Sequence, residues 1–191
     1  MTDIISGLDA RMVLDSRGNP TVEVDCYVGG ELMGRAMVPS GASTGAYEAV
    51  ELRDGDMSRW LGKGVDNAVN NVIEVIQEAL VGMPVDDQKA VDEVMIELDG
   101  TANKSNLGAN AMLAVSLANS KCSALINKKS LFKNLGNSFA LPIPLMNIIN
   151  GGAHADNDLN IQEFMIRPDS ATNFMNAIEK CFLVIQNLKE L

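Results

Sequence analysis

Between Pro39 and Val65 the spacing of apolar residues changes from two to three or four, and that change sets the order of the elements. Val22, Val24, Cys26 and Val28 alternate with Glu23, Asp25 and Tyr27, the pattern of a strand with one buried face. Gly29-Gly30 predicts a turn, and Leu32, Gly34, Ala36 and Val38 predict a return strand that Pro39 ends. Val65, Val69, Val72, Ile73, Ile76 and Leu80 then fall on one helical stripe, stopped by Gly82 and Pro84. A second helix is expected from Asp86 on Val91, Val94, Met95 and Leu98, closing at Asp99-Gly100. The third, from about Asn106 to Lys128, carries Leu107, Ala111, Ala114, Val115, Ala118, Cys122 and Leu125, and its alanines and serines suggest close contacts. Strands first and helices afterwards, without regular alternation, describe an α+β domain.

Around Leu141 the pattern changes again. Pro142-Ile-Pro144 precedes a short apolar run, Leu145 to Ile149, and Asn150-Gly-Gly152 opens a polar loop. A domain boundary is expected here, with residues 1–140 as the first domain and 141–191 as the start of a second. Ile161 to Ile166 predicts another short buried strand, and Phe174, Ile178, Cys181, Phe182, Ile185 and Leu188 mark an amphipathic helix running to Leu191. That second domain is expected to be unfinished.

A chain of 191 residues can bury one large domain, or one domain and part of another. Its 15 basic against 25 acidic residues argue against nucleic acid or an anionic membrane as a partner drawn by bulk charge. An anionic substrate would need local cations or a bound metal. Cys26, Cys122 and Cys181 form neither a disulfide framework nor a zinc knuckle, and the single histidine, His154, excludes multi-histidine metal sites. The start of the chain does not have the pattern of a signal peptide, and no run has the ~18 apolar residues of a membrane span. A cytoplasmic setting is the expectation.

Three segments can carry chemistry. Pro39-Ser-Gly-Ala-Ser-Thr-Gly45 follows a strand with small, hydroxylated residues; it lacks the lysine of a P-loop. It is either a solvated connection or a ligand-covering loop whose hydroxyls and carbonyls suit a magnesium shell. Asn150-Gly-Gly-Ala-His154-Ala-Asp156-Asn-Asp158 holds the only histidine, as a hydrogen-bonding surface residue or as part of a site; Ile161 stands where a calcium loop needs glycine. Gln162-Glu163 sits in an apolar run, where a carboxylate is costly unless it is paired, protonated or facing a ligand. By strand alternation these two side chains point to opposite faces; the plainer reading is an edge strand with two solvated residues. Glu51-Leu-Arg-Asp-Gly-Asp56 suggests a turn and a solvated face.

In order along the chain stand Asp15-Ser-Arg-Gly-Asn-Pro-Thr21, Val38-Pro-Ser-Gly-Ala-Ser-Thr-Gly45, Glu51-Leu-Arg-Asp-Gly-Asp56, Leu98-Asp-Gly-Thr101, Leu107-Gly-Ala-Asn-Ala111, Met146-Asn-Ile-Ile-Asn-Gly-Gly152 and Gln162-Glu-Phe-Met165. This set closely resembles enolase, the glycolytic 2-phosphoglycerate dehydratase, over nearly the whole chain. The resemblance implies an amino-terminal α+β domain, antiparallel strands then helices, followed by the first strand-strand-helix of an incomplete α/β barrel. It implies conversion of 2-phospho-D-glycerate to phosphoenolpyruvate with Mg2+, by a lyase that works as a homodimer. Ser40 would ligate the second magnesium through its hydroxyl and carbonyl, and Gly41, Ala42 and Ser43 would form the mobile loop closing over substrate. His154 would contact substrate near its phosphate, Gln162 and Glu163 would face substrate and its leaving hydroxyl, and Asp15 to Glu23 would contribute to the dimer contact.

The sequence also departs from that family. The base lysine, the principal acidic catalyst and the three carboxylates holding the first magnesium would all lie beyond residue 191, so catalytic residues of those kinds are not assigned here. Lys129-Ser-Leu-Phe132 stands where the family usually has Pro-Leu-Tyr, a difference of local packing. The expectation is therefore an enolase portion, inactive alone. The alternatives are a short noncatalytic interaction protein built from the same domain, or a half whose barrel a separate chain completes.

Overall fold

A computed structural model describes residues 3–41, 45–137 and 140–190. They belong to two compact units, Met1–Asn137 and Ser138–Leu191.

The first unit begins with a three-stranded antiparallel sheet of β1 (Ile5–Leu14), β2 (Pro20–Val28) and β3 (Glu31–Met37), in that spatial order. Cys26 of β2 lies opposite both Leu8 and Gly34, and Val24 opposite both Ala10 and Ala36. The alternation seen in the sequence thus stacks one apolar face across all three strands, and Val22, Val24, Cys26 and Ala36 are buried there. On the other face Asp25 is also buried, because Arg35 Nε and Arg11 Nη2 approach its carboxylate at 2.5 and 2.8 Å. The hydrogen bonds from Arg35, helped by Arg11, outweigh burial and hold the Asp25 carboxyl below the usual carboxylate range.

Helices α1 (Asp66–Asn70) and α2 (Gln77–Leu80) are joined by a π-helical segment, Asn71–Ile76. The buried positions are Val65, Ala68, Val72, Ile76 and Leu80, the last four spaced by four residues. On an ideal α-helix each four-residue step drifts by roughly 40°, and the wider π turn takes up that drift. The expected stripe included Ile73, which is instead exposed. Helix α3 (Gln88–Asp99) is capped by the Asp87 side chain, which accepts from Ala90 N at 3.0 Å. Helix α4 (Ala109–Ile126) is the centre of the unit, and α5 (Leu131–Leu135) follows it. Leu98 and Leu125 lie on the expected faces of α3 and α4 but are exposed, each in its helix's last turn. Leu32, near the hairpin end of β3, is exposed as well.

Two local devices seat α4. At Gly34 a Cβ would stand 2.2 Å from the carbonyl oxygen of Ala118 and 2.7 Å from Cys122 N, so the helix backbone rests directly on β3. At the other end the buried Asp99 carboxylate accepts from Asn106 N at 3.0 Å, Leu107 N at 2.8 Å and Thr101 N at 3.0 Å, and from the Thr101 hydroxyl. Burial pushes this carboxyl up, yet these donors together leave it below its ordinary value.

The second unit pairs β4 (Met146–Asn150) with β5 (Glu163–Ile166) in antiparallel fashion and adds α6 (Phe174–Lys189), capped by Asn173 accepting from Asn176 N. Ala177 and Cys181 of α6 are buried. The strand expected to be buried over 161–166 begins later and is largely open: Ile161, Phe164 and Met165 are exposed, as is Phe182 on the helix. Two strands and one helix supply no second layer to cover those faces, and among the described residues there is no closed barrel. Among the described residues, no helix is long and apolar enough to cross a membrane.

Replacing Gly34 by alanine forces a methyl group into backbone atoms and should destabilise the first unit by about 1–3 kcal/mol, read as a lower urea midpoint. Asp99→Ala should cost about 1–3 kcal/mol by leaving the buried Leu107 amide and the part-buried amides of Thr101 and Asn106 without their acceptor. Because the Asp99 carboxyl is lowered in the folded state, its stabilisation is complete above the unfolded value of 3.8 and is lost as pH falls through the lower folded value. Urea midpoints of the wild type should therefore fall below about pH 4, and those of Asp99→Ala should fall less steeply.

Candidate functional site

Two polar clusters carry the residues singled out in the sequence, one in each unit. The first surrounds Ser40. Pro39 ends the strand path after Val38, so Ser40 and Gly41 leave the sheet edge beside the turn that precedes β2. Arg17 Nη2 donates to the Ser40 carbonyl at 2.6 Å and to that of Gly41 at 3.2 Å. That turn is held by Asp15, whose Oδ1 accepts from Arg17 N and Asn19 N at 2.8 Å each. The bond from Asn19, with that from Arg17, keeps the Asp15 carboxyl below its ordinary value.

The Ser40 hydroxyl donates to Glu51 Oε2 at 3.3 Å and accepts from Arg53 Nη2 at 3.3 Å. Arg53 also reaches Glu51 and the carbonyls of Pro20 and Lys63. Helix α4 places this segment: Asn110 Nδ2 donates to Leu52 O, its Oδ1 accepts from Leu52 N, and Ala109 N donates to Val50 O at 2.8 Å. The stretch expected to be only a turn and a solvated face therefore supplies two side chains to Ser40, because backbone pairing with α4 turns Glu51 and Arg53 inward. Ala42 and Ser43 lie outside the described residues.

The second cluster is built on the β4–β5 pair. Register shifts between Asn147 and Ile149, so that Asn147 lies opposite Met165 but Asn150 lies opposite Glu163. In a regular strand residues three apart face opposite sides; with the bulge, Asn147 Nδ2 donates to Asn150 Oδ1 and, at 3.3 Å, to Glu163 Oε1. The connecting loop folds back through Gly151 N to Gln162 O at 2.9 Å, Gly152 N to Leu159 O at 2.7 Å and His154 N to Gly151 O at 3.0 Å. A Cβ on Gly151 would lie 2.4 Å from the Ile161 carbonyl oxygen, so this return requires glycine.

His154 is consequently clamped at both ring nitrogens. Nδ1 stands 3.2 Å from Glu163 Oε1, and Nε2 stands 2.8 Å from Gln162 Nε2. The half-buried pair keeps 26% and 32% of the two side chains exposed, open enough to meet a small ligand. The expectation that Gln162 and Glu163 face opposite sides does not hold: Gln162 precedes β5 in a bend, and both side chains reach one imidazole. Asp156 and Asp158, by contrast, are exposed and stand apart from this cluster.

Chemically the first cluster offers hydroxyl and carbonyl oxygens, hard donors of the kind magnesium accepts. They amount to part of a shell, since no group of three or more His, Cys, Asp or Glu converges among the described residues. The second offers a histidine beside a carboxylate, Nδ1 3.2 Å from Oε1, an arrangement suited to proton transfer or anion contact. Asn147, Asn150, Arg17 and Arg53 were not singled out as site residues from sequence; the signal for Asn147 was an amide inside an otherwise apolar run.

Comparison with known families gives two matches. Residues 5–135 match "Enolase, N-terminal domain", and residues 138–191 match "Enolase, C-terminal TIM barrel domain".

Arg17→Ala should release the Ser40 and Gly41 carbonyls. Amide exchange at Ser40 and Gly41 should then quicken by about threefold to tenfold, the effect of losing exposed charge-assisted hydrogen bonds. Exchange in the core strands should not change.

Proposed function

The chain belongs to the enolase family, and from that premise we propose that it forms part of a glycolytic, cytoplasmic lyase that dehydrates 2-phospho-D-glycerate to phosphoenolpyruvate. The observation that carries this reading is His154 held between Gln162 and Glu163, within the stretch that matches the enolase barrel. On this reading His154 meets the phosphate, and Glu163 with Gln162 faces the hydroxyl that leaves. Ser40 contributes its hydroxyl and carbonyl to magnesium, and the loop through Gly41, Ala42 and Ser43 closes over the substrate to exclude water.

Bound magnesium would offset the negative charge that develops when a proton is removed beside a carboxylate. The chain's own part is to place donors. Arg17 and Arg53 hold the root of the loop by the same Ser40 oxygens that would face the metal. Asp15 to Glu23 supply part of the homodimer contact; beside the turn at Asp15 to Arg17 lies a surface pocket of about 440 Å³ lined also by Met37, Pro39 and Ser40.

The 191-residue chain alone is expected to be inactive, because its two barrel strands leave the base and the first metal's carboxylates unsupplied. Purified chain with 2-phospho-D-glycerate and Mg2+ should form no phosphoenolpyruvate; turnover would overturn the inactivity. Joined to the remaining strands of an enolase barrel, it should form phosphoenolpyruvate, and a folded but inactive fusion would overturn the functional reading. In that active fusion Ser40→Ala should raise the magnesium needed for half-maximal rate by about tenfold or more. An unchanged requirement would remove Ser40 from the metal's shell.

A further inference from the structure

Asn147 occupies a position that costs the fold something. Its Oδ1 is buried and has no hydrogen-bond partner among the described residues, which is unfavourable. Its amide nitrogen instead donates to Asn150 Oδ1 and to Glu163 Oε1. A carboxylate only accepts, so turning the amide to satisfy its own oxygen would set oxygen against oxygen at Glu163. The orphaned carbonyl is the consequence of holding that carboxylate.

Glu163 Oε1 is also the atom that faces His154 Nδ1, at 3.2 Å. The Asn147 amide donates to this oxygen and the imidazole stands beside it, while Oε2 has no hydrogen-bond partner among the described residues. The Gln162 amide nitrogen sets the ring: it can only donate, so Nε2 at 2.8 Å presents a lone pair to it, and Nδ1 of the neutral imidazole carries the proton on the side of Glu163 Oε1.

We propose that Asn147 is a positioning residue: it ties down Oε1 of Glu163, keeps His154 in the Nδ1–H tautomer and leaves Oε2 as the oxygen offered to a substrate. The tautomer follows from the geometry of this unit; that the free oxygen meets a substrate rests on the enolase reading above. Among the described residues Asn147 has no hydrogen bond to the imidazole itself and acts through Glu163. The bulge in β4 is what gives it this reach, since a regular pleat would put Asn147 and Asn150 on opposite faces.

The chain has one histidine, so ¹⁵N labelling of histidine gives a single set of ring signals. Long-range ¹H–¹⁵N correlation of the whole chain at neutral pH should show a protonated Nδ1 and a bare Nε2. In Asn147→Asp, which keeps the shape and loses the donor, the ratio of Nδ1–H to Nε2–H should fall about fivefold or more, the loss of roughly one hydrogen bond. Asn147→Ala should move it the same way and serves if the aspartate variant does not fold. A wild-type ring protonated mainly at Nε2 overturns the proposal without any variant. A folded Asn147→Ala whose ratio stays within about twofold of wild type, well short of the effect of one hydrogen bond, also overturns it. The measurement uses neither magnesium nor turnover, so its failure leaves the enolase reading standing, and an inactive barrel fusion leaves the tautomer assignment standing.

Discussion

The closeness of α4 to β3 is the constraint on which the first unit depends. At Gly34 the helix backbone lies where any side chain would be, so the sheet and the helix share one surface with no intervening layer. Cys26, paired opposite Gly34, and Cys122 on α4 fill the space to either side, both as buried free thiols. A hydrogen bond with Cys122, together with burial, pushes the Cys26 thiol up, which keeps it a packing group rather than a nucleophile. From this seat the rest follows: Asp99 gathers the chain before α4, and Asn110 at the start of the helix fixes both polar groups of Leu52. Glu51 and Arg53, on either side of Leu52, then reach Ser40. A packing contact inside the core thus reaches a loop at the surface through a short series of hydrogen bonds made by side chains.

The second unit works by different physics. Its clustered polar groups owe their meeting to one irregularity in a strand and one tight return of a loop, not to a packed core. The apolar faces of β4, β5 and α6 stay largely open, as expected of strands whose family architecture surrounds them with further strands. A histidine, a carboxylate and three amides are nevertheless held together, because the bulge in β4 and the return of the connecting loop bring them to one end of the two-stranded pair.

Much of this was legible in the sequence for identifiable reasons. The alternation from Val22 to Val28 and the stripes on α3 and α4 depend only on which side of an element is dry, and a periodic pattern records that directly. Ile73, Leu98 and Leu125 were misread because periodicity assumes an ideal helix of unlimited length. The π turn shifts one of them off the stripe, and the helix ends leave the other two uncovered. Ser40, His154, Gln162 and Glu163 stood out as unusual residue types in unusual places. Arg17, Glu51, Arg53 and Asn147 did not, since charged and amide side chains are common on surfaces and their partners are long-range or depend on a bulge.

By itself the sequence determined the order of strands and helices, most residues of the core face and the membership in a family, all properties written in local pattern. Only the tertiary structure decided that Gln162 and Glu163 share one imidazole, that Ser40's oxygens are held by two arginines, and that Asn147 gives up its own carbonyl to hold Glu163. The reason is geometric. A pattern along the chain says which face a residue takes, whereas a hydrogen bond is decided by ångströms between atoms that a bulge, a bend or a close-packed glycine brings together.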